Sequence, residues 1–79
     1  MNVRVRLGAG LAPAAGSPRL IANLADNATV ADLLAYLRAH YPTMKLDVAV
    51  TMAAGQHISA TDRLVEDQEV ALLLPAAGG

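Results

Sequence analysis

Thr29-Val30-Ala31-Asp32-Leu33-Leu34-Ala35-Tyr36-Leu37-Arg38-Ala39-His40-Tyr41-Pro42 carries the helical signal of this chain. Val30, Leu33, Leu34, Leu37 and Tyr41 recur at the spacing that lays apolar side chains along one helix face. Thr29 is placed to accept the N–H of Asp32, and the Asp32 carboxylate to answer, a variant of the capping box. Arg38 and His40 bring positive charge to the C-terminal end, where the helix dipole favours it. Pro42 forbids continuation.

On both sides of this helix the period changes to two. Upstream, Val3, Val5 and Leu7 alternate with Arg4 and Arg6, the pattern of a half-buried strand. Residues 8–18 are rich in Gly, Pro and Ala and read as a loop. Arg19 to Leu24 reads as a second, weaker strand, broken at Asp26-Asn27. These two strands are predicted to form an antiparallel hairpin with a long loop. Downstream, Val48 to Met52 reads as a third strand, with Val48 and Val50 alternating with Ala49 and Thr51. Ala53-Ala54-Gly55 turns the chain, and Gln56-His57-Ile58 suits a short pairing segment. Asp62 to Gln68 is a polar turn with Leu64 as its anchor into the core. Val70-Ala71-Leu72-Leu73-Leu74 is a near-continuous apolar run, as expected of a central strand. Strand, strand, helix, strand, short strand, strand predicts an α+β architecture with one helix on one face of a sheet. Residues 1–74 are assigned to that domain and residues 75–79 to a flexible tail.

Composition narrows the function. Seventy-nine residues make one domain, and a chain of this size buries only about 60% of its unfolded surface. There is no cysteine, hence no disulfide and no thiolate ligand or nucleophile. Hydrophobic residues make up 54% of the chain, yet Tyr36 and Tyr41 are the only aromatic ones, so Val, Leu, Ile and Ala must build the core. A net charge of −1 argues against nucleic-acid binding. No stretch approaches the ~20 apolar residues of a membrane span, and no targeting segment is visible, so the cytoplasm is the expected compartment. Asn27-Ala28-Thr29 matches a glycosylation acceptor, but Thr29 already has a capping role.

The chemistry-bearing residues form no active site by their spacing. Gly8-Ala9-Gly10 after a strand invites comparison with a dinucleotide loop, but Pro13 stands where the third glycine belongs. His40 and His57 are far apart and lack ligand-rich neighbours, so no metal site is expected. Ser17 and Ser59 have no base beside them. Asp26 and Asp32 suit turn and cap roles. Met44 and Met52 are adaptable side chains suited to facing a partner, Met52 also to filling a core. Asp62, Glu66, Asp67 and Glu69 cluster late in the chain. They form either a solvated turn or, through Glu66, Asp67 and Glu69, an acidic docking patch for a basic partner.

What is left is the end. Pro75-Ala76-Ala77-Gly78-Gly79 follows the last strand directly. Glycine has no Cβ, so Gly78-Gly79 presents the thinnest backbone available to a narrow partner site. Gly79 is therefore the candidate reactive residue, through its carboxylate, with Pro75, Ala76, Ala77 and Gly78 threading it. If Val70, Leu72 and Leu74 face the helix, alternation sends Ala71 and Leu73 to the other face. A leucine there is either a docking contact or an ordinary exposed apolar residue.

Taken in order, these segments resemble the ubiquitin-like sulfur carriers, namely the small subunit of molybdopterin synthase and the sulfur carrier of the thiamin pathway. Leu11-Ala12-Pro13-Ala14-Ala15-Gly16 is similar to the loop after that family's first strand. Ala28 to Leu37 resembles its helix opening, and His40-Tyr41-Pro42 its helix close. Leu64 to Val70 resembles its turn into the last strand, and Leu74 to Gly79 its Pro-rich ending in Gly-Gly. Thr51-Met52 replaces an Asn-Gly type turn, residues 52–62 match poorly, and Gln68 stands for the glycine of the acidic turn. One proline of the tail is absent. The resemblance implies a β-grasp fold with a mixed sheet of four or five strands. It also implies a carrier without an active site or bound cofactor of its own. A separate E1-like enzyme would bind ATP and adenylate the Gly79 carboxylate, which then becomes a thiocarboxylate. A larger synthase subunit or another sulfur-accepting enzyme would take the sulfur. The molybdopterin branch is favoured by length and by the Ala-Ala-Gly loop. A thiamin, cysteine or other metabolite carrier, a protein modifier and an inert-tailed interaction domain remain alternatives.

Overall fold

The computed structural model describes residues 1–75. Strand β1 (Asn2–Leu7) leads through a short helix, α1 (Ala12–Ala15), to β2 (Arg19–Asn23). The main helix α2 (Val30–His40) follows, then a single 3-10 turn at Leu46–Val48, β3 (Val50–Ala53), β4 (Gln56–His57) and β5 (Glu69–Leu73). The sheet order is β2-β1-β5-β3-β4. β1 pairs antiparallel with β2 and parallel with β5, while β3 runs antiparallel to both β5 and β4. β5 is thus the central strand, as its apolar run predicts.

α2 starts where the capping chemistry places it. The Thr29 side chain accepts from the Asp32 N–H, and the Thr29 N–H donates to Asp32 Oδ2 at 2.8 Å. The remaining amides of the first turn are satisfied by a distant loop: Val30 N–H donates to Asp62 O and Ala31 N–H to Ala60 O, both at 3.0 Å. Leu64 N–H donates to Ala28 O at 2.9 Å, and the Leu64 side chain is buried. The segment 59–64 therefore clamps the helix N-terminus to the body. This leaves no helix amide unpaired where water is excluded. Val30, Leu33 and Leu37 are buried against Val3, Val5, Val70 and Leu72 from the sheet. Leu34 and Tyr41 are half-buried at the margin.

Three local expectations fail, each because a tertiary contact outweighs a local pattern. The segment 8–18 is not all loop. Leu11 is fully buried, Pro13 lies in the first turn of α1, and Gly16 closes it at φ 74°. Leu11 contributes apolar burial that a solvated loop would forgo. The third strand does not start at Val48. Met44 and Leu46 insert into the core, which forces the 3-10 turn, leaves Val48 57% exposed and turns Thr51 to the helix side of β3. Met44 is thereby a core residue and does not face a partner. Finally, the turn before β5 takes its left-handed residue at Asp67 (φ 63°), so the position suited to glycine is 67, not 68. The Gln68 side chain instead accepts from the Val65 N–H at 2.9 Å. Asp67→Gly is expected to relieve the left-handed strain and raise stability by roughly 0.5 kcal/mol. A denaturant midpoint that falls would show that the Asp67 side chain offsets that strain.

Candidate functional site

The helix covers one face of the sheet and leaves the other open. Alternation along β1 and β5 decides which side chains stand there. Val3, Val5, Leu7, Val70 and Leu72 point to the helix, while Arg4, Arg6, Glu69 and Leu73 are exposed on the other side. The register sets them in rows. Arg4 lies opposite Ile21 and Glu69, and Arg6 opposite Arg19 and Ala71. Ala71 in turn faces Met52, and Leu73 faces Val50. Ile21, at 62% exposure, and Leu73, at 42%, are the apolar residues most exposed on this face.

Two shallow depressions mark the surface. One of about 340 Å³ lies over β1 and β2, lined by Arg4, Arg6, Arg19, Ile21 and Glu69 with Val5 and Leu20. The other, about 540 Å³, lies over β5 and β3, where Arg6, Met52, Glu69, Ala71 and Leu73 contribute. The electrostatics of the face are cationic. The Glu69 carboxylate is shared, 3.6 Å from Arg6 Nη1 and 4.0 Å from Arg4 Nη1. Arg19 makes no ion pair among the described residues. Two guanidiniums thus share one carboxylate, and Arg19 beside them pairs with none of the described ones, in a chain whose net charge is −1.

The late acidic residues meet different partners. Glu69 joins the open face between two arginines. Glu66 Oε2 accepts from the Asn2 N–H, and Asp67 O accepts from Arg4 Nε at 3.2 Å. Asp62 turns back onto the Ser59 N–H at 2.7 Å. The arginines of the face were visible in the sequence as the polar half of the β1 alternation. What hid their role was that β2 and β5 supply the neighbours, and neither neighbour is local.

The other residues weighed from sequence take structural positions. His40 Nδ1 lies 2.8 Å from Tyr36 O, with its ring stacked on Tyr36 at 4.0 Å between centroids. His57 is exposed on β4. Among the described residues no three His, Cys, Asp or Glu side chains converge as metal ligands. Ser17 Oγ donates to Arg19 O and accepts from the Arg19 N–H, which occupies part of the β2 edge. No described helix is long and apolar enough to cross a membrane.

β5 lies between β1 and β3, and the described chain runs on past it to Pro75. The Gly8 N–H donates to Leu72 O at 2.9 Å, Leu74 is half-buried against the core, and Pro75 is exposed. Ala76, Ala77, Gly78 and Gly79 lie outside the described residues.

A five-stranded mixed sheet around one main helix, with residue 75 following its central strand, defines the ubiquitin-like β-grasp class. The chain belongs to the ThiS family, whose model matches residues 5–79. That family, with its MoaD-type relatives, comprises small ubiquitin-like sulfur carriers. Among solved structures, the crystal structure of SAMP1 from Haloferax volcanii is similar at TM-score 0.86 and 25% identity, covering 100% of both chains. A putative molybdopterin converting factor, subunit 1, from Pyrococcus furiosus shares the fold at TM-score 0.87 and 20% identity, covering 96% of this chain and 99% of that one. The small archaeal modifier protein 1 (SAMP1) of Methanosarcina acetivorans matches at TM-score 0.79 and 24% identity, over 99% and 96% of the two chains. No curated protein matches the chain.

Proposed function

We propose that this chain is a sulfur carrier whose reactive group is the Gly79 carboxylate. An E1-like adenylating partner would join that carboxylate to the AMP moiety of ATP, releasing pyrophosphate. Hydrosulfide, or a donor equivalent to it, then displaces AMP and leaves a thiocarboxylate. A carboxylate is a poor electrophile because it has no good leaving group, and adenylation supplies one. The chain itself contributes a docking body and a thin arm, while ATP and its site belong to the partner. The observation that carries this reading is the family match, which runs through to Gly79.

The acceptor we favour is the pterin precursor of molybdopterin, held by a larger synthase subunit. The Leu11–Gly16 segment and the likeness to the Pyrococcus furiosus fold support that branch over thiamin, cysteine or another sulfur-containing metabolite. A second reading, isopeptide conjugation to target lysines, is favoured by the likeness to SAMP1 across the whole chain. On either reading the open sheet face, with Leu73, Ala71 and Glu69 on it, is the docking surface.

The test is co-expression with the adenylating partner, followed by mass measurement of the C-terminal peptide and of the intact protein. Replacement of one oxygen by sulfur at Gly79 is the expected result. Higher-mass lysine adducts without that exchange would assign the chain to conjugation. An unaltered Gly79 with no adducts would overturn both readings.

A further inference from the structure

Gly8 and Gly10 have no role in a nucleotide loop, and their backbones do not require glycine. Gly16 and Gly55 have φ of 74° and 77°, but neither Gly8 nor Gly10 lies in the left-handed range. Space is what they supply. A Cβ on Gly10 would stand 2.3 Å from Leu74 Cδ1 and 3.3 Å from its Cγ. A Cβ on Gly8 would stand 3.1 Å from Leu73 Cδ2. The loop beneath these leucines is held firmly. Gly8 O accepts from both Leu11 and Ala12 N–H at 2.9 Å, and the Leu11 side chain is fully buried.

We propose that Gly8-Ala9-Gly10 is a positioning seat for the C-terminal arm. The bare backbone of Gly10 receives the Leu74 side chain, and that contact fixes the direction in which the chain leaves the body at Pro75. Leu72 is held by the β-ladder, but the ladder ends one residue later. Without the seat, the torsions of residues 73 and 74 would be free to swing the arm away from a partner active site. Leu74 is only half-buried, so losing the seat costs little core burial. The contribution is to orientation, which bears steeply on the rate of a positioned reaction. The functional consequence rests on the carrier reading above; the seat itself does not.

The experiment uses the full chain with Gly10→Leu, Leu74→Ala and the double variant. Gly10→Ala, which asks Leu74 to retreat by about 1 Å, replaces Gly10→Leu if the latter does not fold. Three readouts are taken: the melting temperature, amide nitrogen relaxation at Leu72 and Leu74, and adenylation measured by pyrophosphate exchange with the E1-like partner. Fast motion is expected to rise at Leu74 but not at Leu72 in each single variant, with melting temperatures close to the parent. Adenylation is expected to fall about tenfold in each. The double variant is expected to be no worse than either single one, because both remove the same contact. Unchanged relaxation at Leu74 in the Gly10 variants, or additive losses in the double variant, would overturn the seat. Altered relaxation with unaltered adenylation would overturn its positioning role. A parent chain that is not adenylated at all would defeat the carrier reading, while the relaxation arm would still decide the seat.

Discussion

A single residue appended after Gly79 is expected to abolish thiocarboxylate formation while leaving the melting temperature unchanged. Five residues from Pro75 to Gly79 reach at most about 17 Å, at roughly 3.4 Å per residue. An adenylating site built for that reach meets a carboxylate oxygen at the α-phosphate of ATP. One more residue puts a neutral amide at that point and carries the carboxylate about 3.4 Å further on. A misplacement of about 1 Å is enough to cost on the order of 100-fold in rate, so the loss here should be essentially complete. Gly79→Ala is expected to be blocked as well, because its methyl group widens the arm where the partner site is narrow. Mass measurement of the C-terminal peptide reads both variants. Undiminished sulfur incorporation in the extended chain would place the reactive group elsewhere.

Leu72→Ala is expected to cost about 2–5 kcal/mol, the range for removing a fully buried leucine from a packed core. Leu72 has no exposed surface and stands in the central strand between β1 and β3. A domain of this size holds roughly 4–12 kcal/mol in total. The melting temperature should therefore fall by roughly 10–30 °C. Its neighbour supplies the contrast. Leu73 points to the open face, so Leu73→Asp is expected to keep the fold and to weaken binding to the adenylating partner. Calorimetric melting of both variants and titration of Leu73→Asp with that partner separate the two faces. A Leu73→Asp chain with unchanged affinity would remove the sheet face from the docking surface. One that fails to fold would make Leu73 a core residue.

The outcome at neighbouring positions shows how far local pattern reaches. Helix α2, its Thr29–Asp32 cap, strand β1, the Leu64 anchor and the central place of β5 were legible. Each is written in a short window as a period, a cap or an unbroken apolar run. The start of β3 is not legible, because Val48 and Val50 alternate as a strand should. Burial of Met44 and Leu46 outweighs that alternation and shifts the strand by two residues. The short helix α1 was hidden for the same reason, since only the core tells Leu11 that it is inside.

By itself the sequence determined the helix, the two alternating faces of β1 and β5, and a Gly78-Gly79 pair a few residues beyond an apolar strand. These follow from periodicity and from the absent Cβ of glycine, which need no long-range partner. The tertiary structure alone decided the strand order, the cationic open face where Arg4 and Arg6 share Glu69, and the seat at Gly10 for Leu74. Each of those joins residues far apart in the chain. Spacing in sequence carries no trace of them, because they exist only once β1 lies parallel to β5.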